Sequence, residues 1–258
     1  MKNISRYFIL FIYFTGIQNS FSIEKKIEIT CIHRQVCNML NELKINQLKI
    51  NPIIFNHPDP HHLRLKNKTL KKIINSKYVI FPPKDLIPSL FKIRNNLKNK
   101  YFYLNTSISH FWLKQQDICD GKIQIIKQFK SWGIIKNELN YACQKRHLTY
   151  IGKNIVNKKL IILSHHGIEH LFGPYFKTIV LSSEHGHLSL NSAQLKNIYN
   201  LTKQNKVLFI EEEQIPLPAL PFSNLLNNKN HIKVNTLGTI NTPVINVLKN
   251  IYRKFDQL

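Results

Sequence analysis

The chain has 258 residues, 43% of them hydrophobic and only 8 of them glycine, which is enough to bury a large core and too apolar to read as disordered. Its formal net charge of +23, from 37 Lys and Arg against 14 Asp and Glu, first suggests a polyanionic partner. The lysines are scattered among Asn and Ile, as in "KNKTLKK", "KIRNNLKNK" and "NLLNNKNHIK", with no basic stripe interleaved with aromatics, so compositional drift is the favoured reading and nucleic-acid binding is disfavoured.

Residues 1–22 carry a basic start (Lys2, Arg6), an apolar run from Tyr7 to Ile17, and small residues Ser20 and Ser22 around Phe21. This is the three-part pattern of a secretory signal, with cleavage expected after Ser22 and no cysteine there to take a lipid. An uncleaved signal anchor is the alternative; otherwise the protein is expected to be exported to the periplasm. The four cysteines, Cys31, Cys37, Cys119 and Cys143, contain no C-x-x-C pair, which argues against a thiolate zinc cluster or a redox motif. Export permits disulfides, but the spacing points to no pairing, and buried free thiols are expected.

Strands are predicted at 26–32, 47–55, 78–81 and 101–105, with helices at 34–43, 67–76 and about 85–97 between them. From about Lys122 to Val156 helical apolar spacing continues without a strand, predicting one or two connecting helices. Alternation then resumes, with strands at 159–164, 178–182, 206–211 and 232–237 and helices at about 167–176, 192–204, 216–227 and 242–256. The expected fold is therefore α/β, with two lobes, each a mainly four-stranded parallel sheet with flanking helices, joined by a long rigid helix. The boundaries are 1–22 for the signal, 23–121 for the N-terminal lobe, 122–157 for the connecting helix and 158–258 for the C-terminal lobe.

Twelve histidines are present, and three fall just beyond predicted strand ends: His61 after the second strand, His110 after the fourth, His165 after the first strand of the second lobe. Ligands of open α/β sheets bind outside the carboxyl ends of the strands, so the three imidazoles are expected to meet in a cleft between the lobes. Three neutral nitrogen donors without thiolate suit Zn, Cu or Ni better than Mg or Ca.

These residues lie in motifs that resemble those of the zinc/manganese solute-binding proteins of ABC importers. "DPHHLRLKNKTLKKIINSKYVIF" resembles that family's D-P-H segment, "SHFWL" its H-x-W-L segment, and "LSHHGIEHLFGPYF" its H-x-[AS]-[FWY]-x-Y-[FL] segment. "SAQLKNIYNLTKQNKVLFIEEE" is similar to its P-S-x-x-L…F-x-E stretch and "VNTLG" to its L-D-x-L-G ending, so the likeness runs in order over roughly residues 26–258. The resemblance implies two α/β lobes on a rigid helix, with His61, His110 and His165 as metal ligands. Asn235 stands where the family has an aspartate ligand, and Glu211 matches its glutamate, a possible fourth ligand or supporting group. Glu184, His185 and His187 in "SSEHGHLS" form a possible metal-recruiting loop.

The resemblance also implies capture and not catalysis: a periplasmic receptor, expected to be a monomer, that binds Zn2+, with Mn2+ or Fe2+ less favoured, and hands it to an ABC permease and its ATPase. Contact with the membrane surface is then expected only through the permease or an uncleaved signal. His62 and His166, each next to a ligand, are expected to be dispensable. A zinc hydrolase using Glu211 or Glu169 as general base, and an adhesin-like surface protein with a degenerate site, are the competing readings; no H-E-x-x-H motif, nucleophile elbow or phosphate loop supports the enzyme.

Overall fold

The computed structural model describes residues 26–55, 63–97, 100–136, 155, 158–172, 176–181, 191–214 and 230–256; the expected signal sequence and the expected helix at 216–227 lie outside them. Eight strands run through the described residues: β1 (Ile27–Ile32), β2 (Leu48–Ile53), β3 (Tyr78–Phe81), β4 (Lys100–Tyr103), β5 (Leu160–Leu163), β6 (Lys177–Val180), β7 (Val207–Glu212) and β8 (His231–Val234). They form two sheets of four, in the orders β2-β1-β3-β4 and β6-β5-β7-β8, and every pairing is parallel. Runs such as "YVIF" in β3 and "LIIL" in β5 are buried along their whole length, as expected of parallel strands covered on both faces.

The helices are α1 (Arg34–Glu42), α2 (Asn67–Asn75), α3 (Pro88–Lys92), α4 (Gln115–Ser131), α5 (Ser192–Lys203) and α6 (Val244–Asp256). Helix α6 buries Val244, Val247, Leu248, Ile251 and Phe255, an apolar stripe at helical spacing. Alternate residues of the second sheet face two different cores. Ile161, Leu163, Leu208 and Ile210 join a core that runs on into the first lobe, whereas Leu160, Ile162, Val207 and Phe209 pack with Ile198 of α5 on the other face.

Three helical expectations differ from the structure; the one at about 85–97 is the five-residue α3 followed by a 3-10 turn, Arg94–Asn96. The helix expected from Lys122 starts at Gln115 and has Gly121 in its middle: a Cβ there would lie 2.6 Å from Met39 Cε, so its absence lets α4 lie close to α1. It ends at Ser131 in a Schellman motif, with Gly133 at φ 70° and Ile134 N–H donating to Phe129 O. The helix expected at 167–176 is a 3-10 turn, His166–Leu171, that ends before strand β6.

The lobes are tied by polar groups on α1 as well as by the shared core. Gln35 Nε2 donates to Leu237 O, Arg34 Nη1 to Gly238 O at 2.7 Å, and Asn38 Nδ2 to Thr239 O and Thr242 O at 3.0 and 2.9 Å. Gln35, Asn38 and Glu42 lie on one helical face. Glu42 accepts the Val244 N–H at the start of α6 (2.7 Å) and the buried Lys122 ammonium (2.6 Å), joining α1, α4 and α6 at one carboxylate. Each such bond contributes about 1 kcal/mol net, and together with the common core they oppose wide separation of the lobes.

The free thiols expected from the sequence are not found. Cys31 and Cys37 are joined in a disulfide with Cα atoms 5.3 Å apart, and Cys119 is also disulfide-bonded. The turn at His33, φ 78° and ψ 139°, folds the start of α1 back over the end of β1 and so brings Cys37 to Cys31, a proximity that a spacing of six residues does not announce.

Candidate metal centre

Both sheets have the same permuted order, so β1 neighbours β3 and β5 neighbours β7, and the crevice of each sheet opens at those strand ends. His33 follows β1 directly, His165 follows β5 by two residues, and Glu212 is the last residue of β7. Strand β4 leads through a short loop to His110, which precedes a 3-10 turn, Phe111–Leu113, whose three side chains are buried.

His110 and His165 come from different lobes and meet, with ring centres 5.0 Å apart. His110 is buried; its edge rests on Trp112 at 5.1 Å, and its Nδ1 lies 3.2 Å from Ser109 Oγ. His165 is held more firmly. Its Nδ1 is 3.2 Å from Glu212 Oε1, and the Gly167 N–H points at the same nitrogen from 3.2 Å. The Glu212 carboxylate is itself fixed, since Thr236 Oγ1 donates to Oε2 at 2.6 Å and the Glu212 N–H donates to Ser164 Oγ at 2.9 Å. A buried carboxylate on Nδ1 selects the ring tautomer and raises the basicity of Nε2 across the ring, which is the support that metal-ligating histidines commonly have.

Gly167 packs against the imidazoles of both lobes. A Cβ there would lie 2.8 Å from His165 Nδ1 and 3.0 Å from His110 Nε2, so any side chain would displace one of the imidazoles. Among the described residues no group of three or more His, Cys, Asp or Glu side chains is gathered at ligand distance.

The other expected site residues are distributed as follows. His61, Glu184, His185 and His187 lie outside the described residues. Asn235 is built into a turn: its Oδ1 accepts from Leu237 N (3.1 Å), Gly238 N (2.6 Å) and Gln214 Nε2 (3.0 Å), and its Nδ2 donates to Glu213 Oε2 at 2.8 Å. Glu211 is on the opposite side of β7 from His165, with Lys233 Nζ at 2.9 Å and His231 Nε2 at 3.0 Å, so the support expected of it belongs to the next residue, Glu212. Glu169 accepts from Thr178 Oγ1 at 2.9 Å.

Sequence reasoning missed three residues. Glu212 sits in the run Glu211–Glu213, where a one-residue shift reverses the face of a strand, and no local signal chooses among the three. His166 was expected to be dispensable beside a ligand; its ring lies 4.3 Å from that of His165 and 5.4 Å from that of His110. His33 was assigned no role; it caps α1 by accepting the Gln35 N–H and stacks on Trp112 at 4.8 Å. Burial, with a smaller contribution from the neighbouring Arg34 charge, lowers the His33 pKa to about 3, so this imidazole stays neutral.

No family model and no curated protein sequence matches the chain. Solved structures do match it in three dimensions. The laminin-binding protein Lmb of Streptococcus agalactiae, a bifunctional protein with adhesin and metal-transporting activity, is 12% identical and superposes with a TM-score of 0.68 over 90% of this chain and 99% of its own. The chain shares that two-lobed fold. The Zn(II)-bound ZnuA-like domain of Streptococcus pneumoniae AdcA (15% identity, TM-score 0.60) and the periplasmic zinc-binding protein TroA of Treponema pallidum (10%, 0.63) each cover 90% of this chain, with 100% and 98% of their own lengths matched.

Proposed function

We propose that the protein is an extracytoplasmic receptor that captures a divalent transition metal, with Zn2+ preferred over Mn2+ and Fe2+, between its lobes and delivers it to an ABC permease and its ATPase. The observation that carries this reading is the meeting of His110 and His165 from opposite lobes, with Glu212 and Thr236 behind His165. His61 is the third proposed ligand. The zinc-binding and metal-transporting proteins that share the fold support the same reading. Export to an oxidising compartment agrees with the Cys31–Cys37 disulfide, and no described helix is long and apolar enough to cross a membrane.

The shared core and the α1 contacts favour capture with little movement of the lobes. Binding would displace any protons on the imidazoles, so affinity falls as the solution is made more acidic. The hydrolase reading loses support because both glutamates considered as its base, Glu169 and Glu211, are engaged by Thr178 and by Lys233 with His231.

The test is the metal content of protein purified without a His tag, followed by competition titration with Zn2+ and Mn2+. About one zinc per chain is expected, with sharply lower affinity in His61→Ala, His110→Ala and His165→Ala. A protein that binds no metal, or variants that bind as the parent does, would overturn the proposal.

A further inference from the structure

In the extended segment of a strand, adjacent side chains point to opposite faces, so consecutive histidines there do not easily serve one centre. The backbone at this point is not uniform. His165 is extended, φ −149° and ψ 148°, whereas His166 is the first residue of the 3-10 turn, and the change of direction between them folds the second ring back beside the first. The three imidazoles of His110, His165 and His166 then form a triangle of ring centres with sides of 5.0, 4.3 and 5.4 Å.

That spacing can be compared with what a shared ion requires. With a metal–nitrogen distance of ~2.0–2.1 Å, and roughly 1.1 Å more from the nitrogen to the ring centre, two imidazoles on a tetrahedral ion have centres about 5 Å apart. All three sides of the observed triangle are near this value. The rings differ in orientation, with interplanar angles of 74°, 49° and 85°, so rotation about the side-chain torsions, with the centres almost in place, is what would aim the nitrogens at one point. His166 is half-buried, whereas His110 and His165 are buried.

The position expected to supply an oxygen ligand points the same way. Both polar atoms of Asn235 are used in its turn, and the carboxylate nearest the imidazoles, Glu212, is occupied with His165 and Thr236. We propose that His166 is a metal ligand, so that His110, His165 and His166 make a neutral, all-nitrogen face of the site, with the Glu212 carboxylate behind it as the balancing charge. This rests on the receptor reading above and makes it more specific. Imidazole donors without a hard anionic oxygen favour Zn2+, and equally Co2+, Ni2+ or Cu2+, over Mn2+, which stands lowest in the Irving–Williams order and prefers oxygen.

The test uses untagged protein, Zn2+ in competition with a chromophoric chelator, and Co2+ as a spectroscopic probe. His166→Ala should bind Zn2+ at least tenfold more weakly than the parent and alter the Co2+ d–d spectrum, and the parent should bind Zn2+ at least a hundredfold more tightly than Mn2+. Zn2+ affinity within twofold of the parent together with an unchanged Co2+ spectrum would overturn the role of His166. If His110→Ala still loses binding in that case, the receptor reading survives; if the parent itself binds no ion, both fall. Should His166→Ala not fold, 15N-histidine spectra of the parent decide: with one equivalent of Zn2+ the His166 ring nitrogens should shift with those of His110 and His165, and unmoved His166 signals overturn the assignment.

Discussion

The two lobes begin alike and end differently. In each, the first strand runs into a histidine that caps the following helical turn: β1 into His33 and α1, β5 into His165 and the 3-10 turn. In each, the N–H two residues further on points at the ring Nδ1, from 3.3 Å at Gln35 and 3.2 Å at Gly167. His33 is sealed under Trp112, held neutral by burial, and its junction is clamped by the Cys31–Cys37 disulfide. His165 has a carboxylate at the same ring nitrogen and two more imidazoles beside it. Equivalent places in a repeated architecture thus become a structural cap in one lobe and a candidate ligand in the other. The neighbours supplied by distant strands make the difference.

The largest effect expected from breaking this comparison is on metal binding. His165→Ala should lower Zn2+ affinity by more than about 100-fold, because loss of a ligand should exceed the ~10–100-fold typical of a supporting group. His33→Asn should leave that affinity within a few-fold, both read by chelator competition. Glu212→Gln, which keeps the shape and removes the charge, should cost roughly 10–100-fold in Zn2+ affinity, and an unchanged titration would remove Glu212 from the site.

Stability separates the two histidines next. The His33 pKa is depressed in the folded protein, so the unfolded chain takes up the proton first. Its contribution is complete above about pH 6.5 and is lost as pH falls toward 3. Between pH 8 and pH 5 the parent should lose about 2 kcal/mol that His33→Asn does not lose, measured by denaturant unfolding at both pH values. Replacing Cys31 and Cys37 together by Ser should cost roughly 2 kcal/mol, as expected for a short closed loop, in the same assay. Glu211→Gln should be the mildest change: below about 1 kcal/mol for its partly exposed pairs with Lys233 and His231, and without effect on Zn2+.

Much of the fold was legible because it is written locally. Short apolar runs between helical patterns located all eight described strands to within a few residues, and parallel pairing followed from the alternation. The same reading placed His110 and His165 beyond strand ends. It failed where a residue's role depends on what crosses its path. The helix expected from Lys122 begins at Gln115, and only the packing of Gly121 against Met39 shows why a glycine sits within it. Asn235 resembled a weakened ligand, whereas its amide is committed to the turn that leads to Leu237 and Gly238.

By itself, the sequence determined the order of strands and helices, the two-lobed α/β plan and the enrichment of imidazole at strand ends, since periodicity and turn chemistry act over a few neighbouring residues. Only the tertiary structure decided which of three consecutive glutamates supports His165, that His166 turns back toward His110, that His33 is buried as a neutral cap and that Cys31 pairs with Cys37. Each of these is a distance set by the packing of separate elements or by the path of a turn, and side-chain periodicity carries no record of it.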